Sequence, residues 1–124
     1  MQNNNQYSEI EIPNRKFLIN GREIEMPPFD CYAWKFMELP DVIIVLFWGT
    51  KTFTNSNVYG YDKTGRLLWK SKPVSEDSDS MLPNSYCYII WSPSHQKVFL
   101  VSSLENNVWL DEKTGETTPI PTSV

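Results

Sequence analysis

The sequence predicts an all-β protein, a repeated antiparallel β-meander of about ten or eleven strands. Three observations carry that expectation. Five Trp, six Tyr and six Phe in 124 residues, together with frequent Val and Ile, favour extended over helical backbone. Nine Pro and only five Gly divide the chain into many short elements. The third observation is an internal repeat. Cys31–Tyr32 recurs as Cys87–Tyr88, and at the same spacing Val42, Ile44 and Val45 meet Val98, Leu100 and Val101. Further on the spacing shortens, so that Asn57–Val58 meets Asn107–Val108 and Lys63–Thr64–Gly65 meets Lys113–Thr114–Gly115.

The whole of 1–124 is expected to form one domain, long enough to bury its own core. Residues 1–8 are polar and are expected to be a flexible N-terminus. Residues 15–26 form a partial repeat, with RKFLIN and REIEM flanking Asn20–Gly21, the dipeptide that a type I′ hairpin turn favours. The first full repeat, 31–70, starts with CYAWKFMEL and turns at Pro40–Asp41. VIIVLFW follows, an unbroken apolar run of the kind buried on both faces of a sheet. NVYGYD and RLLWK then flank DKTG. Asp62 can accept hydrogen bonds from the turn backbone, and Gly65 can take the left-handed conformation that closes it.

The second repeat, 86–120, offers SYCYIIW, KVFLVSS, NVWLD and a weaker TTPIP, with SPSHQ and DEKTG as turns and Gly115 in the place of Gly65. SEDSDSML between the repeats has room for one helical turn at most. Trp34, Trp48 and Trp91 fall within strands and are expected in the core, whereas Trp69 and Trp109 lie nearer hairpin ends. Lys63, Arg66, Lys70 and Lys72 read as a charged edge that discourages strand-to-strand aggregation.

YGYDKTGRL, residues 59–67, resembles the YD repeat of the large Rhs shells, in which Tyr-x-Tyr-Asp precedes Gly-Arg-Leu. Over 31–120 the chain also resembles the pyrroloquinoline-quinone-like β-propeller repeat, where an Asp, a Thr-Gly turn and a Trp close each four-stranded blade. Asp62 stands three residues before Gly65, where that family has four. Asp111 and Gly115 keep the usual spacing, but Pro119 occupies the place of the Trp. The resemblance implies propeller-like blades. A ring typically takes at least four of them, so two and a half copies imply a propeller-like stack too short to close alone, with a β-sandwich or barrel as the alternative. No cofactor is carried over from the resemblance.

Charge and motif content bound the function. A net charge of −4 argues against nonspecific binding to nucleic acid or to an anionic membrane, since both need a positive surface. MQNNNQYSE has no basic segment followed by an apolar one, and Val42–Trp48 is too short to cross a bilayer. The expectation is a cytoplasmic protein with Cys31 and Cys87 reduced. His95 has only Ser92 and Ser94 as close neighbours, without an orienting acid, so no catalytic residue is expected. The cysteines form no CxxC pair and no metal site is expected.

These features point to a non-catalytic protein-binding protein whose profile is similar to that of small immunity proteins that mask basic nuclease toxins. The candidate contacts are Glu76, Asp77, Asp79, Glu105, Asp111 and Glu112, with Trp69 and Trp109 as aromatic anchors. The alternative is a propeller-like module that assembles with copies of itself and binds a small ligand or glycan.

Overall fold

In the computed structural model, residues 8–13, 16–49, 56–72, 85–103 and 107–120 are described. They form eleven strands and no α-helix. β1 (Ile10–Glu11), β2 (Leu18–Ile19) and β3 (Arg22–Glu23) make a small N-terminal sheet. β4 (Cys31–Glu38), β5 (Ile43–Gly49), β6 (Val58–Tyr61) and β7 (Leu67–Lys70) make a central meander. β8 (Tyr86–Ser92), β9 (Lys97–Ser102), β10 (Asn107–Leu110) and β11 (Thr117–Pro119) make a C-terminal one. Every pairing is antiparallel between consecutive strands, and no sheet closes into a barrel.

The apolar run of β5 explains the layering. Ile43 through Phe47 are all fully buried, which requires cover on both faces of the central sheet. Ile44 and Leu46, with Val58 and Trp69, pack against Tyr86, Val98, Leu100, Val108 and Leu110 of the C-terminal sheet. The alternate residues Ile43, Val45 and Phe47, with Tyr59 and Tyr61, pack against Phe17, Ile19 and Ile24 on the N-terminal side. The three sheets therefore stack, with the central one in the middle. Burying those five side chains of β5 is worth on the order of 10 kcal/mol before entropy is counted, comparable with the net stability of a whole domain.

Polar links fix the layers against each other. Asn57 is buried, and its amide donates to the carbonyls of Phe47 and Tyr86, each at 2.9 Å. Its Oδ1 accepts the Tyr86 N–H, also at 2.9 Å. The side chain thus pairs with β8 as a strand backbone would, across the gap between two sheets. On the N-terminal side, Glu38 accepts the Ser8 N–H at 2.9 Å and Lys63 Nζ at 2.5 Å. Asn20 Nδ2 donates to the Lys63 carbonyl at 3.5 Å, while its Oδ1 accepts the Glu9 N–H within the N-terminal sheet at 2.9 Å.

The turns follow the sequence. Asn20 and Gly21 have φ of 52° and 82°, as a type I′ hairpin requires. Asp62 Oδ1 accepts from the N–H and hydroxyl of Thr64 and from the N–H of Arg66, at 2.9, 2.6 and 3.0 Å. Gly65 and Gly115 both have positive φ, 91° and 80°.

Ahead of the expected hairpin, β1 adds a third strand, paired with β2 through Ile10–Ile19 and Glu11–Leu18. Four expectations need correction. Ser8 is tied to Glu38 and not free. Trp34 is 42% exposed, since it is the extra residue of a bulge on edge strand β4 and faces neither core. Trp91 is 38% exposed, at the end of edge strand β8. The bulge on β8 falls at Cys87, so the ladders set Cys87 in the role of Trp34 rather than of Cys31.

Candidate functional site

The turn Asp111–Gly115 is where sequence candidates meet in space. The Asp111 N–H donates to Glu116 O, and the Gly115 N–H to Asp111 O, both at 2.8 Å. Asp111 Oδ1 accepts the Lys113 N–H at 2.9 Å. The turn is also pinned from the central sheet, because the Trp69 indole N–H donates to Glu112 O at 2.8 Å. The Trp69 ring lies so close beneath Gly115 that a Cβ there would come within 2.6 Å of it. Trp69 itself is only 7% exposed. It is therefore a fastening between sheets and offers no surface to a partner, a correction of its expected role.

Hollows lie on both sides of this turn. On the side toward the central sheet, a recess of about 290 Å³ opens between the Leu39–Val42 turn, Leu68, Trp91, and Glu112–Lys113. Its walls are mostly apolar, and its ionisable groups are Asp41, Glu112 and Lys113. On the other side, a hollow of about 450 Å³ is bordered by Gln96, Lys97, Trp109, Asp111, Glu112 and Lys113. Two carboxylates there face two ammonium groups, so only the first recess carries an excess of negative charge.

The second hollow opens onto the outer face of the C-terminal sheet. The ladder pairs Tyr88 with Val101, Ile90 with Phe99, and Phe99 with Trp109, on the face opposite Val98 and Leu100. Tyr88 is 50% and Ile90 37% exposed, while Phe99, Val101 and Trp109 are half-buried among themselves. Phe99 meets Trp109 edge-on with centroids 5.9 Å apart. Lys35 Nζ sits 3.9 Å from the Tyr88 ring and 4.4 Å from that of Trp34, a cation–π bridge between the two meanders.

His95 lies on the rim of this face, its ring 4.8 Å from Trp109. Its Nδ1 is 3.0 Å from Ser92 Oγ and 3.1 Å from Ser94 Oγ, contacts made within the exposed β8–β9 turn. Cys31 and Cys87 are free and half-buried. Burial, then the nearby Asp30 charge, pushes the Cys31 thiol up to about 11. Burial also raises Cys87, against an opposing pull from Lys35. Both thiols are consequently protonated at neutral pH and poor nucleophiles there. Among the described residues no group of three or more His, Cys, Asp or Glu could hold a metal ion. No helix among them is long and apolar enough to cross a membrane.

Of the expected contact residues, the structure brings Trp109, Asp111 and Glu112 together, and Glu76, Asp77, Asp79 and Glu105 lie outside the described residues. Sequence reasoning missed Tyr88, Ile90, Leu68 and Trp91. The signal for Leu68 was present: the DKTG turn is one residue shorter than DEKTG, and the strand after it takes up the difference. Gly60 pairs with Trp69 and Tyr61 with Leu67, which leaves Leu68 as an unpaired bulge residue, 47% exposed. No protein-family model matches the chain, and no curated protein matches it.

Proposed function

We propose that the chain is a non-catalytic protein-binding module whose contact surface is the outer face of the C-terminal sheet, bordered by the Asp111–Glu112 turn. The observation that carries this reading is the run of side chains on that face. Tyr88, Ile90, Phe99, Val101 and Trp109 form a contiguous aromatic and aliphatic surface on an outer face of the stack, whereas both faces of the central sheet are covered by its neighbours. Exposed apolar surface of this extent marks interaction sites, and Tyr and Trp dominate binding hot spots. The net charge of −4 favours a basic partner and would speed its encounter. The concrete form of the reading is a cytoplasmic immunity protein that masks a basic, nuclease-type toxin.

The test compares the wild-type chain with Tyr88→Lys and with Trp109→Ala in binding to the basic protein recovered with it from its host, and in protecting cells from that protein. Either substitution should weaken binding by about a hundredfold if these are hot-spot residues, while Tyr88→Lys lowers the unfolding midpoint only by what the loss of the Lys35 cation–π contact and the new like charge cost. Unchanged affinity in both variants would refute the surface assignment. Sedimentation as a multimer in which Tyr88 becomes shielded would assign the face to self-assembly instead.

A further inference from the structure

We propose that the recess between the Leu39–Val42 turn and the Asp111–Gly115 turn receives one arginine side chain of the basic protein partner, an inference that rests on the binding reading above. Size sets the first limit. At about 290 Å³ the recess is at the small end of ligand sites, room for one long side chain rather than a folded segment or a large cofactor. The walls set the second. Leu39, Val42 and Leu68 supply apolar surface for a methylene stem, and Trp91 supplies an exposed indole. Asp41 and Glu112 against Lys113 leave the recess one negative charge in excess.

That combination suits a guanidinium better than other groups. Its planar head stacks on an indole face and engages a carboxylate through two parallel N–H donors, while its aliphatic stem lies along apolar surface. A lysine ammonium would satisfy the charge but not the stacking. A purely apolar side chain would leave the one excess negative charge without a partner.

The site is built before any ligand arrives. The Leu39 N–H donates to Val42 O at 2.8 Å and holds one wall. The Trp69 N–H holds Glu112 O at 2.8 Å and fixes the other. Leu68 enters the recess only because of the bulge after the short DKTG turn; the C-terminal meander has no shift between β10 and β11. Bulges of this kind re-aim a side chain, often beside a functional site.

The test uses the full chain and three blocked tripeptides, acetyl-Gly-Xaa-Gly-amide, with arginine, lysine or citrulline in the middle. Binding is followed by the Trp91 indole N–H and the Val42 and Leu68 methyl resonances, with the Trp91 signal identified from Trp91→Phe. The arginine peptide should shift these signals saturably in the millimolar range. The citrulline peptide, which keeps the shape and loses the charge, should bind about tenfold more weakly. The double variant Asp41→Asn, Glu112→Gln should abolish the difference between them, and it spares the Glu112 carbonyl that Trp69 holds.

Equal shifts from arginine and citrulline, or none at 20-fold higher peptide, would overturn the proposal, as would shifts confined to Tyr88 and Trp109. The two readings fail separately. A recess that ignores arginine while Tyr88→Lys abolishes partner binding sinks this inference alone. A recess that binds arginine while Tyr88→Lys changes nothing sinks the outer-face assignment.

Discussion

Tyr61 and Tyr86 are both fully buried, yet their hydroxyls have different surroundings. Tyr61 Oη donates to the Glu25 carbonyl at 2.7 Å and so links the central sheet to the N-terminal segment. The Tyr86 hydroxyl has no hydrogen-bond partner at bonding geometry among the described residues. Burial pushes it up to about 12, with only a partial opposing influence from Thr117. An unpaired buried hydroxyl costs stability, whereas a paired one contributes. Tyr61→Phe should therefore destabilise the fold by about 1 kcal/mol, and Tyr86→Phe should be neutral or stabilising by up to about 1 kcal/mol. Urea unfolding of the two variants decides it, and a loss in both would refute the distinction. Asn57 is the harsher case. Replacing it with Ala strands the Tyr86 N–H together with the Phe47 and Tyr86 carbonyls between two sheets. The expected cost is about 2–4 kcal/mol from several unsatisfied groups and a small cavity, read from the same urea transition.

Elements whose local chemistry is self-sufficient were legible in the sequence. Asn20–Gly21 dictates its hairpin without help from the rest of the chain, and Asp62 with Gly65 does the same. The unbroken apolar run of β5 announced cover on both faces. The bulges were not legible, because one extra residue changes which face a side chain takes only once the partner strand is known. That is why Trp34 was expected inside, and why the shorter DKTG turn did not by itself reveal that Leu68 would line a recess. Gly60 records the same dependence on tertiary contact. A Cβ there would lie 2.2–2.5 Å from the Trp69 ring, which β7 lays across β6. Gly60→Ala should cost about 1–3 kcal/mol through overpacking. Trp69→Phe alone should also destabilise, by losing the bond to Glu112 O. Because the clash is with the indole itself, the two substitutions together should cost less than their sum in thermal or urea unfolding. Strict additivity would mean that the ring does not crowd Gly60.

At the scale of the whole molecule, the central sheet holds its two neighbours by different chemistry, and acid should tell them apart. The C-terminal sheet is attached by an apolar cluster, by Asn57 and by the Trp69 indole, none of which titrates near acid pH. The N-terminal side adds to its apolar cluster a carboxylate clasp, Glu38 with Lys63 and the Ser8 N–H. Burial works to raise the Glu38 carboxyl, but the Lys63 hydrogen bond and charge and the Ser8 contacts outweigh it and hold it below its ordinary value. Asp62, at the turn that carries Lys63, is also lowered, first by the Thr64 hydroxyl and then, against the opposing effect of burial, by the Arg66 and Thr64 N–H groups and the Arg66 charge. A carboxyl whose folded pKa is depressed contributes stability that is complete above its unfolded value and is lost as pH falls through the folded one. Stability should thus decline as pH drops below about 4, and amides of the N-terminal sheet should lose hydrogen-exchange protection before those of the C-terminal sheet. Glu38→Gln isolates the clasp. It should lower the unfolding midpoint at pH 7 and make the acid decline shallower, so that variant and wild type converge as pH falls through the lowered folded value and Glu38 itself becomes protonated. Curves that stay parallel across this range would show that the Glu38 clasp does not couple protonation to the attachment of the N-terminal sheet.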